Sequence, residues 1–151
     1  MSLESVRAFF AAKAPDITVI ESPVSSATVA LAAEAYDVEP ARIAKTLSLR
    51  ISERVVLIVA SGTSRMDNKK VKARFGGKPK MLGLDEVAAI TGHEVGGVCP
   101  FGLKTPLPVY CDVSLQAFDE VLPAAGSIHS AVRIAPSRMA ELVGAEWVDV
   151  C

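Results

Sequence analysis

Two apolar stretches separated by three residues place the strongest limit on how this chain folds. Residues 43–51 alternate in character and residues 55–60 are almost wholly apolar, with Ser52-Glu53-Arg54 between them. Three residues is hairpin length, so the segment reads as two antiparallel strands. The stretches on either side change period. Leu3, Val6, Phe9 and Phe10 fall at helical spacing before Pro15, which predicts a helix over 2–14. A short strand is expected at 17–20. An alanine-rich helix follows over 27–36, capped by Ser25 or Ser26, and Pro40 opens a turn. Residues 68–75 form a basic helix ended by Gly76-Gly77, and 85–91 a short helix stopped by Gly92.

The remainder predicts strands at 108–112, 121–124, 130–134 and 146–150. It also predicts a turn or short helix at 115–120, and a last helix over 137–143 with Pro136 in its first turn and Gly144 after it. Strands and helices are interspersed without a strict βαβ rhythm. The expected fold is therefore α/β (α+β): one domain spanning 1–151, built on a mixed, strongly curved sheet.

Composition narrows the function classes. The chain has 151 residues, half of them apolar, and 22% charged, enough for one full core and unlike a disordered segment. No apolar run reaches the roughly 18 residues a bilayer span needs, so no membrane role is expected. Residues 1–14 carry Glu4, Arg7 and Lys13, unlike a secretory leader. Three cysteines, at 99, 111 and 151, show no Cys-x-x-Cys pair. Neither a disulfide framework nor a metal site is suggested, and the cytosol is the default compartment.

Net charge is −1, but it is unevenly spread. Residues 65–80 hold Arg65, Lys69, Lys70, Lys72, Arg74, Lys78 and Lys80 against the single acid Asp67, a window of +6 on a body of −7. Such a patch is either a solvated helix face or the footprint of a phosphate contact.

Chemistry concentrates in few places. Gly96-Gly97-Val98-Cys99-Pro100-Phe101-Gly102 packs three glycines and a proline into seven residues. It is a stiff turn whose amides can receive an oxyanion, a carbonyl or a phosphate. Lys45 sits near the start of the first hairpin strand, sharing a face with Ile43, Leu47 and Leu49 by period-2 alternation. It either snorkels at the strand end or faces a pocket as a point charge. His129, in Gly126-Ser127-Ile128-His129-Ser130, is a general-base candidate or a satisfied polar residue at a strand end. Cys99 is a candidate nucleophile without a partner fixed in sequence, or a small packing or pocket-lining residue. Gly-x-x-x-x-Gly-Lys-Ser/Thr is absent, and no Gly-x-Gly-x-x-Gly follows a strand, so ATP and dinucleotide readings lack a motif.

Together these residues resemble the YbaK / prolyl-tRNA editing-domain family. The resemblance runs through Lys45-Thr46-Leu47, Ser61-Gly62 with Asp67 and the lysine-rich helix, and the loop 96–102. It continues through residues 105–110, Ala125-Gly126-Ser127 and Ala135-Pro136. It implies a barrel-like mixed sheet and a free-standing hydrolase that removes wrong amino acids from tRNA in trans, needing no metal or organic cofactor. The implied partners are misacylated tRNA and prolyl-tRNA synthetase. The family's Gly-x-x-x-Pro loop maps onto Gly96 and Pro100. It implies that amides around Gly96 and Gly97 hold the ester carbonyl, that Pro100 stiffens the loop, and that Lys45 contacts the terminal adenosine. Attack is attributed to water positioned by the substrate's own ribose hydroxyl, or to the substrate thiol in cysteine-specific members.

Thr46 is then placed against the amino acid, with Val98, Cys99, Gly126, Ser127 and His129 as further substrate-binding candidates. From charge alone, Arg65, Lys69, Lys70 and Lys72 are assigned to tRNA phosphates. Thr46 after Lys45 matches cysteine-type members, whereas some alanine-specific members carry Asn there and a histidine-bearing motif near the end. The side chain removed therefore stays open among Cys, Ala, 2-aminobutyrate, Ser and Thr. A non-catalytic module that binds aminoacyl-tRNA or a synthetase is the alternative function.

Overall fold

A computed structural model describes residues 2–151; Met1, at the head of the stretch read as unlike a leader, lies outside them. The hairpin forms with β2 (Ile43–Ile51) antiparallel to β3 (Arg54–Ser61). In β3, Leu57 and Val59 enter one apolar cluster while Val56 and Ile58 enter another. The strand is thus covered on both faces, which is why it reads as a continuous apolar run.

The sheet has six strands. Its main path runs β4 (Pro79–Met81), β2, β3, β5 (Val109–Asp112), β8 (Glu146–Val148), and β6 (Leu122–Pro123) pairs with β2. The β3–β5, β5–β8 and β2–β6 pairs are parallel and the others antiparallel, so the sheet is mixed as expected. It does not close into a barrel: β4 and β8 end the path. The sequence carries no strong signal for β4, an edge strand of Pro, Lys and Met, where proline's missing donor does no harm. β1 (Ile20–Glu21) pairs with β7 (Ser130–Ala131) in a separate two-stranded ribbon.

Helix α1 (Ser2–Lys13) buries Val6 and Phe10, and the Phe10 ring lies 4.7 Å from that of Phe101. This contact pins the C-terminal half of the glycine loop to the helix. Helix α2 (Val29–Ala35) begins later than its alanine run suggested, because Thr28, not Ser25 or Ser26, is the cap. The Ser26 hydroxyl donates instead to the Ile128 carbonyl. Helix α3 (Asn68–Phe75) has the expected start and end: Asp67 accepts from the Lys69 and Lys70 amides, and Gly76 takes φ +79°. Helix α4 (Leu84–Thr91) ends on Gly92, and α5 (Pro136–Val143) starts on its proline.

Some strands are shorter than expected. Ile17 is drawn into a turn by the hydrogen bond its amide donates to the Ala14 carbonyl, so residues 17–19 precede β1 rather than form it. Around 121–124 and 130–134, single bridges Val121–Ile134 and Ala124–Ala131 stand outside the two-residue strands. A 3₁₀ turn occupies Val113–Ala117 under an Asp112 cap. Among the described residues no helix is long and apolar enough to cross a membrane.

Candidate functional site

The N-terminal half of β2 forms one wall of a cavity of about 250 Å³. Ala44, Lys45, Thr46 and Ser48 contribute from β2, Val29, Ala32 and Tyr36 from α2 and its end, Leu84 and Val87 from α4, and Gly96 and Val98 from the glycine loop. Most of the lining is aliphatic. Exposed Met81, Leu84 and Val95 also line it, giving an apolar rim that suits a nucleobase or a similar flat group.

Lys45 is half-buried and its ammonium is aimed by backbone. It donates to the Gly62 carbonyl at 3.3 Å and to the Ser64 carbonyl. These acceptors belong to the Ser61–Ser64 loop, which packs tightly: a Cβ on Gly62 would stand 2.3 Å from the Pro40 carbonyl oxygen. Both acceptors are neutral, so the lysine is positioned without its charge being cancelled, as an anion-binding group requires.

The glycine loop supports the wall by close backbone approach. Gly96 takes φ +91°. A Cβ on Gly97 would meet the Ser127 nitrogen at 2.6 Å and the Gly126 carbonyl carbon at 2.8 Å, and the Gly126 amide donates to the Gly97 carbonyl at 3.0 Å. The Gly97 amide itself donates to the Glu94 carbonyl at 2.9 Å. It closes the turn and is not free for a ligand, which corrects the role expected of it. Among the described residues no acceptor meets the Gly96 or Val98 amide.

The structure therefore brings Lys45, Thr46, Gly96 and Val98 to one cavity and leaves the other candidates out of its lining. Pro100, within the loop, is buried and does not line the cavity. Gly126 and Ser127 back Gly97, and the Ser127 hydroxyl bonds that of Ser130 at 2.7 Å. His129 is exposed; its amide donates to the Ser127 hydroxyl and its carbonyl accepts from Ser22. It lies outside the cavity lining.

Cys99 is fully buried in the core with Phe10 and Phe101, and burial pushes its thiol up to about 12. A thiol so placed has almost no thiolate at neutral pH, so the nucleophile reading is overturned, and the residue packs in the core instead of lining the cavity. Its neighbour His93 follows Gly92 and reads from the sequence as a loop residue that carries little information. It is fully buried, with one ring nitrogen (Nε2) 2.7 Å from the Phe101 carbonyl and the other (Nδ1) 2.5 Å from the Ser2 hydroxyl.

Burial holds His93 below its ordinary 6.5. A depressed folded-state pKa means that the unfolded chain takes up this proton first as pH falls. Stability from His93 is thus complete above about pH 7 and is lost on acidification through 6.5 toward the lower folded-state value. Unfolding midpoints measured from pH 7.5 to 5.5 should fall, and His93→Gln should flatten that slope. Equal slopes for the two proteins would refute this.

In the basic patch, Lys70 pairs with Asp149 at 3.1 Å and Arg74 with Glu146 at 2.5 Å. Arg65, Lys69 and Lys72 have no carboxylate partner among the described residues, and Lys69 and Lys72 share a surface cleft with Lys78. The unneutralised charge is narrower than the sequence suggested. Among the described residues, no cluster of three or more His, Cys, Asp or Glu is arranged to hold a metal ion.

This fold, with its glycine-loop cavity, belongs to a known class: residues 24–142 match the family described as the aminoacyl-tRNA editing domain, and the chain belongs to that family. It is 48% identical over its whole length, and 98% of the relative's, to "Uncharacterized protein YwhH" of Bacillus subtilis (strain 168). Over 78% of its length and 73% of the relative's, it is 30% identical to "Putative Cys-tRNA(Pro)/Cys-tRNA(Cys) deacylase EbsC" of Enterococcus faecalis (strain ATCC 700802 / V583). A crystal structure described as "a putative trans-editing enzyme for prolyl tRNA synthetase" superposes with a TM-score of 0.91 at 32% identity, covering 99% of this chain and 96% of that one.

Proposed function

We propose that this protein is a trans-editing hydrolase that deacylates misacylated tRNA, with tRNA(Pro) carrying a small non-cognate amino acid as substrate. The observation that carries the reading is the placement of a positioned, unneutralised Lys45 and the glycine-loop residues Gly96 and Val98 on one apolar cavity. Lys45 anchors the 3′-terminal nucleotide. The Gly96 and Val98 amides receive the ester carbonyl, taking over the part that the committed Gly97 amide cannot play.

Water, oriented by the free ribose hydroxyl of the substrate, adds to the carbonyl carbon. The resulting oxyanion is stabilised by the loop amides. The bond from that carbon to the ribose oxygen then breaks, and the proton released by the water passes to the leaving oxygen. An aminoacyl ester is already activated, so no side-chain nucleophile is required. Lys69, Lys72 and Arg65 contact phosphates of the acceptor stem, and Lys70, already paired with Asp149, contributes less. Prolyl-tRNA synthetase, named in the description of the similar structure, is the proposed partner and the cytoplasm the proposed compartment.

The test is a deacylation panel on tRNA(Pro) carrying Ala, Cys, Ser, Thr and 2-aminobutyrate. At least one ester should be cleaved well above its spontaneous rate. Tight binding of mischarged tRNA with no turnover across the panel would instead identify a non-catalytic binding module.

A further inference from the structure

Among the described residues, two buried hydroxyls, both on residues that line the cavity, lack a hydrogen-bond partner. Tyr36 is 7% exposed, yet its phenol meets no partner, and the buried hydroxyl of Thr46 meets none either. The Ser26 hydroxyl, close enough to Tyr36 to influence its phenol, donates to the Ile128 carbonyl and makes no hydrogen bond of normal geometry with the phenol. Both residues line the same cavity, among Ala32, Ile43 and Leu122. Buried polar groups are almost always paired, because an unmade bond costs the full desolvation of the group. A sequence that wanted a purely aliphatic pocket would carry Phe and Val at these positions, with the same shape and no orphan atoms.

We propose that Tyr36 and Thr46 are specificity-determining residues that bind a side-chain hydroxyl, so that the amino acid removed is serine or threonine. The inference rests on the editing reading and deepens it. The chemistry favours a neutral hydroxyl over the other polar group of an amino acid, its α-ammonium. Among the described residues no carboxylate lines the cavity, and Lys45 already brings a positive charge to it. A second cation buried against aliphatic walls would have no compensating partner. A hydroxyl is both donor and acceptor and can satisfy a phenol and a threonine together. Burial raises the Tyr36 phenol above its usual range, which keeps it protonated and able to donate. A site built for a substrate hydroxyl also rejects the analogue lacking it, since the protein's own polar atoms are then left unpaired.

Binding separates this inference from catalysis. Two non-hydrolysable probes, 3′-amide-linked threonyl- and 2-aminobutyryl-adenosine, differ by one hydroxyl and share the α-ammonium. Calorimetry with the wild-type protein should show the threonyl probe bound at least about 30-fold more tightly, within the range a hydrogen-bonding site supports. Tyr36→Phe, close to isosteric, should reduce that ratio to about threefold or less by weakening the threonyl probe alone, and Thr46→Val should act in the same direction.

Equal binding of the two probes, or an equal loss for both in Tyr36→Phe, overturns the proposal; the second result would assign the hydroxyls to the α-ammonium. These outcomes hold whether or not the protein turns over. The same variants on Thr- and 2-aminobutyryl-tRNA(Pro) give the catalytic counterpart. Turnover of both esters without preference sinks the specificity claim and leaves the deacylase standing. No turnover, with the threonyl preference intact, sinks the deacylase and leaves the pocket assignment.

Discussion

Lys45→Ala should lower deacylation of mischarged tRNA by about 10²–10³, the size of loss seen when one preorganised donor is removed from an ester-cleaving site. The fold should survive. Lys45 is half-buried, and the Gly62 and Ser64 carbonyls it leaves behind belong to a loop that water can reach. A melting temperature within a few degrees of wild type, with catalysis lost, is the expected pair of measurements. Lys45→Arg should recover little, because a planar fork cannot place its charge where a single ammonium sits between two carbonyls. Affinity for the body of the tRNA should change far less, since Lys69 and Lys72 lie on a separate cleft. Activity within threefold of wild type in Lys45→Ala would remove the lysine from the site.

The second large effect is expected at Gly97. Its added methyl would sit 2.6 Å from one backbone atom and 2.8 Å from two more, and backbone cannot swing aside as a side-chain tip can. Gly97→Ala should therefore cost about 3 kcal/mol, the upper end for overpacking, or roughly 6–12 °C in melting temperature for a chain of this size. Activity measured well below that temperature should fall by a further factor of about 10², because displacing the wall moves Gly96 and Val98 from the proposed carbonyl site. Gly144→Ala is the control. Gly144 has positive φ but nothing within 4 Å of a new Cβ, so the strain of about 1 kcal/mol should appear without loss of rate. Equal kinetic effects at the two glycines would show that the loop's position does not matter.

What was legible in the sequence follows the range of the interactions. Helix α3 could be read to the residue, because its Asp67 cap, its basic turns and its Gly76 stop are all local. The hairpin could be read because three residues join its strands. Local signals did not reveal β4, nor that the strands expected at 17–20 and 130–134 shorten to the β1–β7 ribbon, because these short strands are fixed by partners far along the chain. Lys45 and the glycine loop stood out by residue type, but which amides remain free depends on the Glu94 carbonyl and on Gly126, and neither is visible from spacing. The same limit hid the burial of Cys99 in the core cluster that also holds Phe10 and Phe101. It also hid Tyr36 at the end of an alanine-rich helix, where an aromatic residue reads as ordinary core until its hydroxyl is found without a partner.

Helix α1 gives the loops around the cavity a shared foundation. Gly102 passes so close to Ser5 that a Cβ would stand 2.6 Å from its carbonyl oxygen, and Gly126 passes Ser2 at 2.7 Å in the same sense. Ser2 also meets His93, 91 residues away along the chain. The glycine loop and the segment that backs it therefore rest on one helix end, though neither is its neighbour in sequence. Loosening that end would let both loops drift together, so the cavity would lose its shape as a unit and not one wall at a time.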